Sequence, residues 1–92
     1  MIKSIRHKGL KQFWTRGRTQ GLQQTHVSRI TEQMNALDVA VDVQDMNIPG
    51  YSLHPLSGRD KGRWSIRVNK NWRLTFEFID GDVYILDYED YH

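Results

Sequence analysis

The residues able to transfer a proton lie at two places in the chain. One is the run Tyr88-Glu89-Asp90-Tyr91-His92, where carboxylates, phenols and an imidazole follow one another. The other is His54, inside Ser52-Leu53-His54-Pro55-Leu56-Ser57-Gly58. Histidine has an unperturbed pKa of about 6.5, so it both accepts and donates a proton near neutrality. An adjacent carboxylate orients it or favours its charged form, and a tyrosine ring offers a face on which a base can stack. RNA is a substrate suited to such a set. Its own 2′-hydroxyl attacks the neighbouring phosphorus, so no enzyme nucleophile is needed. What is needed is a base for the 2′-hydroxyl, an acid for the leaving 5′-oxygen, and cations for the charge that builds on phosphate. Acid–base help supplies about 10²–10⁴-fold, and electrostatics with in-line positioning must supply the rest. DNA lacks the attacking hydroxyl. Taken singly each signal is weak, because a lone strand histidine is more often structural and terminal residues commonly fray.

The elements that must position these groups are legible from periodicity. Residues 2–5 read as a short first strand. Residues 7–16 read as a helix with Leu10, Phe13 and Trp14 on one side and Gly17 as its stop. Val27, Ile30, Met34, Leu37 and Val41 recur at helical spacing, which predicts a long helix from Gln23 to about Ala40. The stripe spans only about two heptads, so packing on a sheet explains it better than a coiled coil. Residues 42–50 read as a helical turn and a loop closed by Pro49-Gly50. The period then changes to two. Tyr51–Leu56 is an extended run in which Pro55 points to an edge or an end. Residues 64–68 and 72–78 alternate, joined by Asn69-Lys70-Asn71, and Asp80-Gly81 turns the chain into 83–88. The fold class is α+β, with two N-terminal helices on a mostly antiparallel sheet in the order β-α-α-β-β-β-β, one domain over 1–92. Alternation puts Trp64, Ile66, Val68, Trp72, Leu74, Phe76 and Phe78 towards the helices. Arg63, Ser65, Arg67, Arg73, Thr75 and Glu77 then share the opposite, helix-free face.

The charge is segregated although the net charge is only +2. Residues 1–18 carry six cationic side chains and no acid, and residues 59–73 carry Arg59, Lys61, Arg63, Arg67, Lys70 and Arg73 against Asp60 alone. Two basic blocks form a footprint for a polyanion, RNA above all. The second block makes Arg59, Lys61, Arg63, Arg67 and Arg73 the candidate RNA-binding residues. With no cysteine there is neither a disulfide framework nor a thiolate metal site. The four histidines, His7, His26, His54 and His92, show no ligand spacing, so no metal and no cofactor is expected. No stretch approaches the roughly 20 apolar residues that span a bilayer, and the basic N-terminus lacks the apolar core of a signal peptide. A cytoplasmic protein without membrane contact is expected.

MIKSIRHKGLKQFW at the start, LHPLSG at 53–58, GRWSIRVNKNWRLTFEF at 62–78 and DGDVYILDYEDYH at 80–92 together resemble the RelE/ParE superfamily of toxin–antitoxin toxins, and within it the HigB or plasmid-maintenance killer branch. The resemblance implies a RelE-like microbial RNase fold. It implies an mRNA interferase that enters the ribosomal A site, cuts mRNA without metal, leaves a 2′,3′-cyclic phosphate and a 5′-hydroxyl, and so inhibits translation. It implies a HigA-like helix-turn-helix antitoxin as partner, with operator DNA reached only through that complex. Carried over by motif, His54, Asp90, Tyr91 and His92 are the catalytic candidates. Either histidine serves as general base, Tyr91 stacks on or positions the RNA, and Arg73 binds phosphate. The family pattern around 53–58 ends in lysine and glycine, whereas this chain has Ser57 before Gly58. Arg59 or Lys61 is then the nearest replacement cation.

Two other readings stay open on the same fold, because fold does not fix function. One is a ParE-like inhibitor of DNA gyrase, the other a module that binds RNA or the ribosome without cutting. His54 and the histidine-bearing terminus favour a nuclease, since an inhibitor needs no acid–base pair.

Overall fold

The computed structural model describes residues 1–90. Tyr91 and His92, two of the catalytic candidates, therefore lie outside the described residues. Helix α1 spans Lys8–Arg16 and helix α2 spans Val27–Val39, the latter entered through a 3₁₀ turn at Gln24–His26. Four strands follow: β1 at His54–Pro55, β2 at Trp64–Arg67, β3 at Trp72–Ile79 and β4 at Asp82–Asp90. They pair antiparallel in sequence order.

Local chemistry sets the boundaries. His7 Nδ1 accepts the Leu10 amide at 3.2 Å and caps α1, and Gly17 ends that helix in the left-handed region at φ 71°. Asp80 and Gly81, at φ 51° and 82°, form the tight turn that the hairpin between β3 and β4 requires. Gly9 and Gly21 touch backbone to backbone. A Cβ on Gly9 would stand 2.7 Å from the Gly21 carbonyl oxygen, so α1 crosses the approach to α2 only because both residues lack one.

The core lies between the helices and one sheet face. Ile30, Met34 and Leu37 of α2 are fully buried against Ile66, Leu74, Phe76, Val83 and Leu86, each such side chain worth about 1.5–3 kcal/mol of burial. Trp64, Trp72 and Phe78 pack on the rim of this core, as alternation requires.

Three expectations need correction. Residues 2–5 do not form a regular strand. Ile2 and Ile5 instead make isolated parallel bridges to Val83 and Leu86, which places this segment along the outer edge of β4. Val41 leaves the apolar stripe, because α2 ends at Val39 and Ala40 turns extended, leaving Val41 80% exposed. The run 51–56 keeps only His54–Pro55 as strand, since Ser52 sits at φ 51° and breaks the extended path. Its ladder persists at both ends, where Arg67 N–H donates to the Tyr51 carbonyl at 2.7 Å and Leu56 N–H to the Arg63 carbonyl at 2.8 Å.

Candidate active site

The helix-free face of the sheet gathers the candidate residues by register. His54 on β1 lies opposite Ser65 on β2, Ser65 opposite Thr75 on β3, and Thr75 opposite Asp87 on β4. One row along, Arg67 lies opposite Arg73, and Arg73 opposite Glu89. Residues directly opposite one another in an antiparallel pair project to the same face, with Cβ atoms about 4.5–5.5 Å apart. The two rows surround a cleft of about 140 Å³ lined by Ser52, His54, Ser65, Arg67 and Arg73. Residues separated by up to 21 positions in sequence thus meet in one concavity whose lining carries two guanidinium groups and an imidazole but no carboxylate.

His54 is exposed, and its ring is held by its neighbours. Nδ1 lies 2.9 Å from the Ser52 carbonyl oxygen. A carbonyl only accepts, so Nδ1 carries the proton in the neutral ring and Nε2 is left as the basic nitrogen. The Ser65 hydroxyl stands 3.2 Å from Nε2. Ser52 itself stands at φ 51°, a poor conformation for a side-chain-bearing residue.

Arg67 is aimed by its backbone. Its carbonyl accepts from Gln33 Nε2 at 2.7 Å and from Arg29 Nη2 at 3.3 Å, both from α2. Its amide is the one bound to Tyr51. The residue itself is exposed at the cleft. Sequence reasoning passed over Gln33 and Arg29. The signal available was Gln33 itself, a polar residue flanked by the buried Met34 and Ile30 of the apolar stripe.

Arg63 is not part of this surface. It was expected on the open face as an RNA contact, but it is only 8% exposed. Its Nη2 donates to Thr75 Oγ1 at 2.9 Å and to the Ile85 carbonyl at 2.9 Å, and its Nη1 lies 3.9 Å from Glu77 Oε2. The cause is local. Thr75, on the strand paired with β2, holds its hydroxyl within reach of the guanidinium. Ile85 stands at φ 52° in a bulge, where the register passes from Thr75↔Asp87 to Glu77↔Tyr84. That bulge frees the carbonyl that Arg63 takes. Thr75 in turn donates to Glu89 Oε2 in a short hydrogen bond. Arg63→Met should therefore cost about 2–3 kcal/mol in chemical denaturation, the worth of charged hydrogen bonds left unmade. It should leave the salt dependence of RNA binding unchanged, and a flattened salt slope in the folded variant would return Arg63 to the binding surface.

The remaining candidates fall outside the cleft. Arg59 and Lys61 are exposed in and just after the 3₁₀ turn Gly58–Asp60, and neither lines it. Asp90 is exposed, ends β4 and pairs with Trp72, so alternation puts Glu89 rather than Asp90 on the cleft's face. Glu89 is the carboxylate that sequence reasoning did not select. Its signal was its place in the two-residue period opposite the buried Tyr88. Among the described residues no group of three His, Asp or Glu side chains is arranged to hold a metal ion.

A family profile described as the RelE-like toxin of the type II toxin–antitoxin system HigB matches residues 3–92. The chain belongs to the HigB family of RelE-like toxins. Its membership gives it an antitoxin as partner. The chain is 51% identical to a protein of Proteus vulgaris named Endoribonuclease HigB, over the full length of both. It is 34% identical to Toxin HigB-1 of Vibrio cholerae serotype O1, covering all of this chain and 98% of that one. In structure it resembles the YoeB-YefM complex from Staphylococcus aureus with a TM-score of 0.66 at 18% identity, covering 100% of this chain and 95% of that one. It resembles YafQ from Escherichia coli with a TM-score of 0.59 at 15% identity, covering 98% and 91%. At such identities these two likenesses speak for the fold of the HigB-family chain. That fold is the expected α+β arrangement of helices on an antiparallel sheet. No helix among its described residues is long and apolar enough to cross a membrane.

Proposed function

We propose that this HigB-family toxin is an endoribonuclease that cleaves mRNA in the ribosomal A site by attack of the 2′-hydroxyl on the adjacent phosphorus. The observation that carries the reading is the cleft in which His54, Ser65, Arg67 and Arg73 converge on the helix-free sheet face. A histidine with a fixed tautomer beside two guanidinium groups is what the chemistry asks for. One group moves a proton, and two bind the phosphate whose charge grows in the transition state.

In the proposed step the 2′-oxygen forms a bond to phosphorus and the bond from phosphorus to the 5′-oxygen breaks. The products are a 2′,3′-cyclic phosphate and a 5′-hydroxyl. His54 Nε2, free to accept because Nδ1 is committed to the Ser52 carbonyl, is placed to take or return one of the two protons. The second proton falls to the Asp90-Tyr91-His92 terminus, which the family resemblance supports. Arg67 and Arg73 stand in for the lysine that Ser57 replaces, because they line the cleft while Arg59 and Lys61 do not. We further propose a helix-turn-helix antitoxin of the HigA kind, action in the cytoplasm on ribosome-bound mRNA, and contact with operator DNA only through the antitoxin complex.

Primer extension on mRNA in a reconstituted translation system tests the reading. Discrete cuts at A-site codons are expected, with the products carrying cyclic phosphate ends, and the cuts should persist after metal depletion steps that leave the ribosome intact. Translational arrest with uncut mRNA would replace cleavage by binding alone.

A further inference from the structure

Away from the cleft, a buried polar cluster joins α2 to the turn between β2 and β3. His26, at the entry to α2, is 6% exposed. Its Nδ1 lies 2.6 Å from the Tyr88 hydroxyl and its Nε2 lies 2.7 Å from Asn69 Nδ2. The ring meets Trp72 edge-on at 5.8 Å between centroids. Asn69 sits in the turn, and its Oδ1 accepts the Asn71 and Trp72 amides, each at 2.9 Å. Those two donors fix the amide's orientation, so Nδ2 must be the end that faces the imidazole. Nδ2 only donates, so Nε2 must accept and Nδ1 must carry the ring proton. The Tyr88 hydroxyl oxygen accepts the hydrogen bond from Nδ1–H and a second, at 3.4 Å, from the Gln23 amide. Every bond in the cluster follows from one tautomer of one neutral histidine.

The turn so fixed is the one that joins Arg67 to Arg73. Asn69 lies two residues after the first, and Trp72 immediately precedes the second. The same helix face supplies Arg29 and Gln33, at 26, 29 and 33 in a helical spacing, to the Arg67 carbonyl. We infer that His26 is a positioning residue for RNA cleavage: through Asn69 it locks the β2–β3 turn and so holds Arg67 and Arg73 in register to clamp one phosphate. The inference rests on the proposed RNA cleft and deepens it. The ionisable groups facing the ring support the neutral state. They are the Tyr88 phenol from β4, with His7 edge-on behind it at 5.2 Å, while the turn and β3 present the uncharged Asn69 and Trp72. Burial lowers the pKa of His26 and raises that of Tyr88, in keeping with an uncharged pair.

The test uses the full chain and a 2′-O-methyl RNA hexamer that cannot be cut. His26→Phe, which keeps a ring in the cavity but none of its hydrogen bonds, should weaken Kd by about tenfold, the loss of roughly one charged hydrogen bond to the phosphate. The salt slope should fall by about 0.7 for each phosphate that is no longer neutralised. His26→Gln, which has both a donor and an acceptor end, should recover most of the affinity, which a merely space-filling role would not allow. Imidazole nitrogen shifts in the wild type should show a protonated Nδ1 and a bare Nε2. A folded His26→Phe protein that binds as wild type, or a bare Nδ1, would overturn the inference. If His26→Phe does not fold, Asn69→Ala decides from the exposed side of the same bond, and unchanged binding there also overturns it. Charge reversal of Arg67 and Arg73 is the control. If that too leaves binding unchanged, the failure belongs to the cleft reading and not to the lock alone.

Discussion

His54→Ala is expected to slow single-turnover cleavage of ribosome-bound mRNA by about 10²–10⁴-fold, the range over which a positioned acid or base acts. The imidazole is exposed on a two-residue strand and packs no core, so the melting transition should stay where it is. Affinity for uncut RNA should also hold, because the guanidinium groups that bind phosphate come from β2 and β3. A loss confined to the chemical step separates proton transfer from binding. It also separates a nuclease from the two other readings, neither of which gives His54 anything to do. If the alanine variant cuts at the wild-type rate, the proton carriers both lie at the terminus and the cleft serves only to hold the phosphate.

What the sequence disclosed follows a physical division between local and distant determinants. Helix α2 was legible because Ile30, Met34 and Leu37 repeat at the period of the helix that buries them. The hairpin at Asp80-Gly81 was legible because only such residues take positive φ at both turn positions cheaply. Alternation gave the faces of β2 and β3, which is why Arg67 and Arg73 were read on one side, while the place of His54 beside them came only from the pairing of β1 with β2. It could not give depth. Arg63 shares the face of Arg67, yet its guanidinium is taken up by the Thr75 hydroxyl and the Ile85 carbonyl, and that depends on two neighbours in different strands. The bulge at Ile85, which offers Arg63 a carbonyl, leaves no mark in a sequence that reads as an unbroken strand. His26 was noted only for failing to show metal-ligand spacing. Its partners Asn69 and Tyr88 lie 43 and 62 residues away, so no window along the chain holds the cluster.

That difference between face and depth makes the arginines separable by experiment. Arg67→Glu with Arg73→Glu is expected to weaken binding of uncut RNA by about a hundredfold at 0.1 M salt, on the scale of about 1.5 kcal/mol for each charged hydrogen bond removed. It is also expected to lower the slope of log K against log salt by about 0.7, from the one single-strand phosphate that the pair neutralises. Both side chains reach the cleft from opposed positions on paired strands, so the two contacts fall on one phosphate, and the double change should depart from the sum of the single changes. Fluorescence anisotropy across a salt series measures both quantities, with Arg59→Glu as the comparison: exposed, basic and nearby in sequence, but outside the cleft. Arg59→Glu should shift affinity slightly and uniformly through long-range attraction. Equal effects from Arg59 and from the cleft pair would mean that general basicity, and not the convergence of side chains on one sheet face, binds the RNA.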